Sequence, residues 1–259
     1  NLRNIQGLKG NSMNKRTTPL AGLAKELSAK LLRSSKATHG LKRALRRLLK
    51  EIVLFENHIS NAPISRKVND EGKNGSFVQI GGGRRYLSRF LNIDIVPPAD
   101  IISDVREGIP VGSGKVKFLF SEHFLEHIDY PVSVKKFIKE CFRVLRKGGQ
   151  LVIGVPDAAL AVKAYFRNDR KLMQRFMKKW YGKRNCVEHF NTRIDFLNYH
   201  FRDQDDDKKY SPHLWAYDYE KLEALLAEAG FREIRKWDFD PRVANPKRKF
   251  GSVYITAVK

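Results

Sequence analysis

Residues 77–94 read FVQIGGGRRYLSRFLNID, and the fold turns on how that stretch is parsed. FVQI is a short apolar run that ends in three consecutive glycines, Gly81, Gly82 and Gly83. Eleven residues past Gly83, a second apolar run carries Asp94. The first run predicts a buried strand, and glycine at its exit lets a ligand approach backbone that a Cβ would shield. An acid at the end of the next strand can accept hydrogen bonds from a sugar. These are the parts of a nucleoside-binding crevice at the carboxyl ends of a parallel sheet. Arg84 to Asp94 leaves too little chain for the usual crossover, since helix, turns and strand together take roughly twenty residues. The first helix is therefore expected to be shortened or lost.

Working outward, LNIDI (91–95) reads as a strand ended by Pro97-Pro98, and KVKFLF (115–120) as a strand that delivers SEHFLEHIDYP (121–131) at its carboxyl end. A helix is expected from about Val132, with Val134, Phe137, Ile138, Cys141, Phe142 and Leu145 on one face and Lys147-Gly148-Gly149 stopping it. QLVIGVP (150–156) is the next strand. Residues 158–213 are less regular and read as a cap or lid insertion, a common place for substrate contacts. Asp218 is a credible N-cap for a helix that Gly230 closes. Residues 231–239 and 252–259 read as two strands in close succession, hence an antiparallel pair at a sheet edge. The alternation predicts an α/β fold: a Rossmann-like, mostly parallel sheet with helices on both faces, an antiparallel edge strand and an N-terminal helical extension.

Composition bounds the rest. In a chain of 259 residues, 42% hydrophobic content fills a real core, which excludes a disordered chain. No run approaches the eighteen or so apolar residues of a membrane span. The two cysteines, Cys141 and Cys186, suggest no disulfide framework and point to a reducing compartment.

The net charge of +22 is the strongest anomaly. A basic surface of that size attracts RNA or an anionic membrane face. The first fifty residues hold thirteen Lys or Arg against the single acid Glu26, so they contribute +12. Residues 1–60 are read as a basic helical extension and 61–76, polar and rich in turn formers, as a linker into the domain at 77–259. Two helical patterns run through the extension. One is Leu20, Leu23, Ala24, Leu27 and Leu31; the other is Leu41, Ala44, Leu45, Leu48, Leu49 and Ile52, with Lys42, Arg43, Arg46, Arg47 and Lys50 opposite. They fit an arm packed on the body, a helix lying on a membrane or phosphate surface, or a targeting segment in which Met13 is an alternative start.

From residue 77 onward the chain resembles the class I S-adenosylmethionine-dependent methyltransferases, particularly a small bacterial group with a shortened region between glycine loop and ribose-binding acid. The residues that carry this are Gly81-Gly82-Gly83 with Asn92-Ile93-Asp94, the SEHFLEHI stretch at 121–128, VLRKGGQLVI at 144–153, HLWAYD at 213–218 and Ala229-Gly230-Phe231. The resemblance implies a methyltransferase with S-adenosylmethionine as cofactor. It implies that Gly81 to Gly83 approach the amino-acid part of that cofactor, that Asp94 accepts the ribose hydroxyls, and that Asp104 and Val105 flank the adenine. Ser121, Glu122 and His123 would close over the methionine end and face the substrate. Relative to the group, Gln79 replaces an acid near the start of the loop, and Gly82 stands where cysteine or alanine is common.

Methyl transfer to a hydroxyl or protonated amine needs a base, and His123 and His127 are the candidates; both are also readable as packing or loop-capping histidines, the preferred reading for His127. His123-Phe124-Leu125-Glu126-His127 also matches the H-x-x-E-H pattern of inverted zinc peptidases. That pattern belongs within a longer helix, whereas here it follows a strand directly, so no metal ligands are expected. The expected acceptor is a small molecule, a sugar or lipid-linked intermediate, or RNA. The competing function is a non-catalytic module of the same fold that binds RNA or an anionic membrane through residues 1–60. A cytoplasmic location is expected, with peripheral membrane association and organellar targeting both open.

Overall fold

The computed structural model describes residues 19–71, 76–181, 188–202 and 212–259. The chain divides into two units, 1–56 and 57–259. Met13, Cys186 and the acidic run at 203–209 lie outside the described residues.

In the first unit, α1 (Pro19–Arg33) and the first part of α2 (His39–Glu71) are the two helices expected from the apolar spacing. The chain breaks between them where the Ser34 Oγ accepts from the Lys36 amide and the Thr38 Oγ1 accepts from the Leu41 amide at the head of α2, the usual role of an N-cap hydroxyl. On α2, Leu41, Leu48 and Phe55, two turns apart, are exposed. The helix continues to Glu71, so residues 61–71 of the expected linker are helical; 72–75 fall outside the described residues. Pro63 removes one helical donor, and turn-forming composition alone does not end the helix.

The second unit is built on seven strands, β1 (Phe77–Ile80), β2 (Leu91–Asp94), β3 (Ile101–Ile102), β4 (Val116–Glu122), β5 (Leu145–Pro156), β6 (Arg232–Lys236) and β7 (Ser252–Val258). Their order is β3-β2-β1-β4-β5-β7-β6. The first five pair in parallel, and β7 runs antiparallel to both β5 and β6. This is the Rossmann-like sheet with the antiparallel edge that the sequence predicts.

Among the described residues no helix joins β1 to β2, as the residue count requires. Asn92 holds the loop in its place. Its Nδ2 donates to the carbonyls of Leu87 and Phe90 at 2.9 and 2.8 Å, and its Oδ1 accepts from the Leu87 amide at 2.9 Å. The Asp100 carboxylate in turn accepts from the Asn92 amide and side chain. With Asn92 only 4% exposed, these bonds satisfy a polar group that would otherwise be costly to bury.

Successive side chains along a strand point to opposite faces, and the sheet has a core on each. One face packs Val78, Ile80, Ile93, Leu119, Leu151 and Ile153 against α3 (Val132–Val144) and α7 (Tyr219–Glu228). The other packs Phe90, Phe120, Val152 and Tyr254 against Trp237, Phe239 and Val243. Asp218 caps α7 by accepting from the Lys221 amide. α3 stops at Val144, short of the glycines expected to end it. Lys259 Nζ bonds the carbonyls of Arg143 and Leu145, so the last turn is satisfied by a cation before Gly148 is reached.

Within the expected lid, α4 (Ala158–Phe166), α5 (Arg170–Phe176) and α6 (Arg193–Phe201) close over an apolar cluster of their own, including Ala161, Ala164, Met173, Phe176 and Phe196. Among the described residues no helix is long and apolar enough to cross a membrane.

Candidate functional site

Strand register decides which residues meet. Ile80 pairs with Ile93 on one side and Ser121 on the other, so Gly81, Asp94 and Glu122 leave the sheet at one level. The strand order reverses between β1 and β4, and the crevice at such a reversal is where ligands bind in open α/β sheets.

Asp94 is half-buried in that crevice. Its Oδ2 accepts from the Gly83 amide at 2.8 Å and its Oδ1 from the Val96 amide at 3.1 Å. Burial raises its pKa above the ordinary value of 3.8, and the amides of Gly83, Val96 and Ile95 work against that rise. A carboxylate offers about four lone-pair positions, so acceptor capacity remains for a hydroxyl.

The three glycines have different reasons to lack a side chain. A Cβ on Gly81 would lie 2.6 Å from the Phe124 side chain, and one on Gly82 would lie 2.4 Å from Gln79 Nε2 and 2.7 Å from the Arg85 carbonyl. Gln79 Nε2 donates to that carbonyl at 3.0 Å. An acid at position 79 could not donate this bond, so Gln79 and Gly82 form one matched arrangement. Of the three, only Gly83 faces open space: among the described residues, nothing lies within 4 Å of where its Cβ would be.

The two residues expected to flank the adenine, Asp104 and Val105, follow β3. The Val105 side chain is 4% exposed, inside the main core. The Asp104 carboxylate is forked by Arg106, with Nε at 3.0 Å from both oxygens and Nη2 at 2.6 Å from Oδ2. The Asp104 amide donates to His58 Nδ1 at 2.8 Å, and Asn57 Nδ2 donates to the Ile95 carbonyl, so the α2 residues just past the unit boundary are bonded to the loops after β2 and β3.

At the end of β4, Ser121 is buried and its hydroxyl has no partner among the described residues. Glu122 is buried and fully used: it accepts from Tyr254 Oη at 2.7 Å, from the Asn245 amide at 3.0 Å and from Arg248 Nη1 at 3.3 Å. Its carboxylate therefore holds the loop before β7.

His123 adopts a left-handed backbone, φ 54°, a conformation uncommon outside glycine and concentrated at functional sites. Its Nε2 is 2.7 Å from Ser252 Oγ, its Nδ1 is 3.5 Å from Glu126 Oε1, and its ring stacks on Trp180 at 5.4 Å. Burial first, then the Arg248 charge, holds its pKa well below 6.5, so the ring is neutral. His127 packs edge-on against His213 at 5.0 Å. Glu126, His127 and His213 each place one ligand-capable atom within 4.8 Å of the others. Sequence alone gives neither His213 nor Tyr217 a chemical role, because nothing in local spacing ties them to the turn at 125–127.

A methyltransferase domain family matches residues 83–153. No curated protein matches the chain. Among solved structures, a SAM-dependent methyltransferase of Thermotoga maritima, described as a possible histamine N-methyltransferase, aligns at 17% identity over 83% of this chain and 97% of its own, TM-score 0.40. A SAM-dependent methyltransferase of Archaeoglobus fulgidus aligns at 15% identity over 80% and 98%, TM-score 0.41. A 1,6-didemethyltoxoflavin-N1-methyltransferase of Burkholderia thailandensis aligns at 14% identity over 87% and 92%, TM-score 0.40. The matched segment starts in the glycine turn and ends in β5, so this part of the Rossmann-like sheet is similar to a methyltransferase domain, in line with the resemblance to the class I S-adenosylmethionine-dependent methyltransferases.

Proposed function

We propose that the protein is a methyltransferase that uses S-adenosylmethionine to methylate an oxygen or nitrogen nucleophile of a small molecule, a sugar or lipid-linked intermediate, or RNA. The observation that carries this reading is the meeting of the Gly83 amide and the Asp94 carboxylate, 2.8 Å apart, at the carboxyl ends of two adjacent parallel strands. The cofactor, when bound, supplies a methyl group made electrophilic by its sulfonium. The chain supplies binding, orientation and a proton acceptor. Asp94 retains capacity to accept from a ribose diol, and the open side of Gly83 exposes backbone to the ligand. His123 is the candidate base: the Glu126 carboxylate beside Nδ1 favours the proton there, leaving the Nε2 lone pair on the side of Ser252. Holding nucleophile and methyl in line supplies much of the rate for such a transfer.

Calorimetric titration with S-adenosylmethionine tests the reading. Asp94→Ala removes charge-assisted hydrogen bonds of about 1.5–3 kcal/mol, so affinity should fall by roughly tenfold to a hundredfold. The wild-type affinity should also decline on acidification, with a midpoint above 3.8 because burial raises the Asp94 pKa. No binding by folded wild-type protein would overturn the proposal. A second reading, a non-catalytic module that binds RNA or an anionic membrane, draws on the charge of +22 and on Arg46 and Arg47, which are exposed on α2.

A further inference from the structure

The turn after β4 and the segment leading into α7 come together through a backbone hydrogen bond between Leu214 and Glu126. Glu126 and His127 lie in the 3-10 turn Leu125–His127. His213 is brought to them because the Glu126 carbonyl accepts from the Leu214 amide at 2.7 Å. The three ligand-capable atoms fall within 4.8 Å of one another, and bonds of about 2.0–2.2 Å to one ion would need only side-chain rotation to draw them closer. His213 Nδ1 sits 3.3 Å from the His200 carbonyl. A carbonyl only accepts, so Nδ1 carries the proton and Nε2 presents its lone pair, the tautomer and support that orient metal-bound histidines. Glu126 is 1% exposed, and its contacts with His123 and His127, at 3.5 and 3.9 Å, are with imidazoles.

An independent observation points the same way. Tyr217 is 1% exposed, and its hydroxyl has no hydrogen-bond partner among the described residues. With Glu126, His200 and His213 it lines a cavity of about 10 Å³, room for about one water. A buried hydroxyl without a partner is costly, and an occupant of that cavity would relieve the cost.

We propose that Glu126, His127 and His213 bind one divalent transition-metal ion, with a further coordination position that faces the cavity lined by Tyr217. Two imidazoles and one carboxylate suit zinc-like ions, whereas calcium and magnesium prefer oxygen donors throughout. A water on the open position would hydrogen-bond the Tyr217 hydroxyl. The ligand set differs from the H-x-x-E-H pattern: the cluster takes Glu126 and His127 from it, and its second histidine comes from the distant 213 segment.

The test uses the full chain, stripped with a chelator and titrated with Co²⁺ and then Zn²⁺, and it needs no methyl acceptor or cofactor. One equivalent of Co²⁺ should bind with the visible absorption of a low-symmetry four- or five-coordinate site, and Zn²⁺ should displace it. His127→Gln and His213→Gln should each weaken Co²⁺ binding roughly a hundredfold, at the upper end of the loss seen for an outer-sphere partner. His189→Gln, which alters an exposed histidine beside Glu188, should bind like wild type. A wild type with no such absorption overturns the proposal, as does a spectrum that survives both His127→Gln and His213→Gln or vanishes in His189→Gln. Should those variants fail to fold, the wild type decides: equimolar Zn²⁺ should raise its unfolding midpoint, and an unchanged midpoint overturns the site.

Discussion

Gly81 and Gly83 share a left-handed backbone, φ 67° and 57°, yet a side chain would meet different surroundings at each. Alanine at either position incurs the left-handed penalty of about 1–2 kcal/mol. At position 81 the new Cβ would also press on Phe124 at 2.6 Å, and overpacking of that kind adds about 1–3 kcal/mol. Gly81→Ala should therefore lower stability by about 2–5 kcal/mol and Gly83→Ala by about 1–2 kcal/mol, read from urea unfolding. Equal losses would show that Phe124 moves aside freely. This contrast is invisible in sequence, where the three glycines look alike and Phe124 lies far along the chain. Asp94 is legible because a strand end and an acid are adjacent in sequence. Glu122 is not: its partners Tyr254, Arg248 and Asn245 arrive from the last strand and the loop before it, and sequence spacing says nothing of such distant returns.

At the scale of elements, counting residues between Gly83 and Asp94 is enough to remove the first crossover helix, whereas α3 ends three residues before the expected stop, where Leu145 turns extended into β5 and Lys259 bonds the carbonyls of Arg143 and Leu145. α3 also holds the loop before β4. Arg143 donates to the carbonyls of Ile109 and Val111 at 2.8 and 2.9 Å, while Glu140 accepts from the Ile109 amide at 2.9 Å and from Arg143 Nε at 2.6 Å. The Arg143 hydrogen bond holds the Glu140 carboxyl below its ordinary 4.5. A carboxylate with a lowered folded pKa contributes stability that is present above the unfolded value and is lost as pH falls through the folded one. Glu140→Gln should cost about 1–3 kcal/mol at neutral pH through the loss of charge-assisted bonds to a partly buried loop. The gap between wild type and variant should narrow below pH 4.5; a gap that stays constant down to acid unfolding would remove Glu140 from the clamp.

For the molecule as a whole, the distribution of charge is the feature that the proposed methyl transfer leaves unexplained. The first fifty residues contribute thirteen minus one, or +12, of a total of +22, and the proposed cofactor crevice is formed by residues of the unit beginning at residue 57. Charge of this kind acts on association, through fields that fall away within a Debye length of about 8–10 Å at physiological salt. Arg46 and Arg47 are exposed on α2, so replacing both with glutamine changes the field without removing buried contacts. Near an anionic surface each basic residue contributes about 1 kcal/mol, so the double variant should bind phosphatidylserine vesicles roughly thirtyfold more weakly at low salt. Against RNA it should show a shallower salt dependence by about two charges. Its affinity for S-adenosylmethionine should match wild type, since the crevice residues Gly83 and Asp94 are left unchanged. Vesicle and RNA sedimentation at several salt concentrations checks this. Binding that is indifferent to both salt and the substitutions would mean that the basic helices serve neither surface, and the excess charge would then belong to the field around the acceptor site.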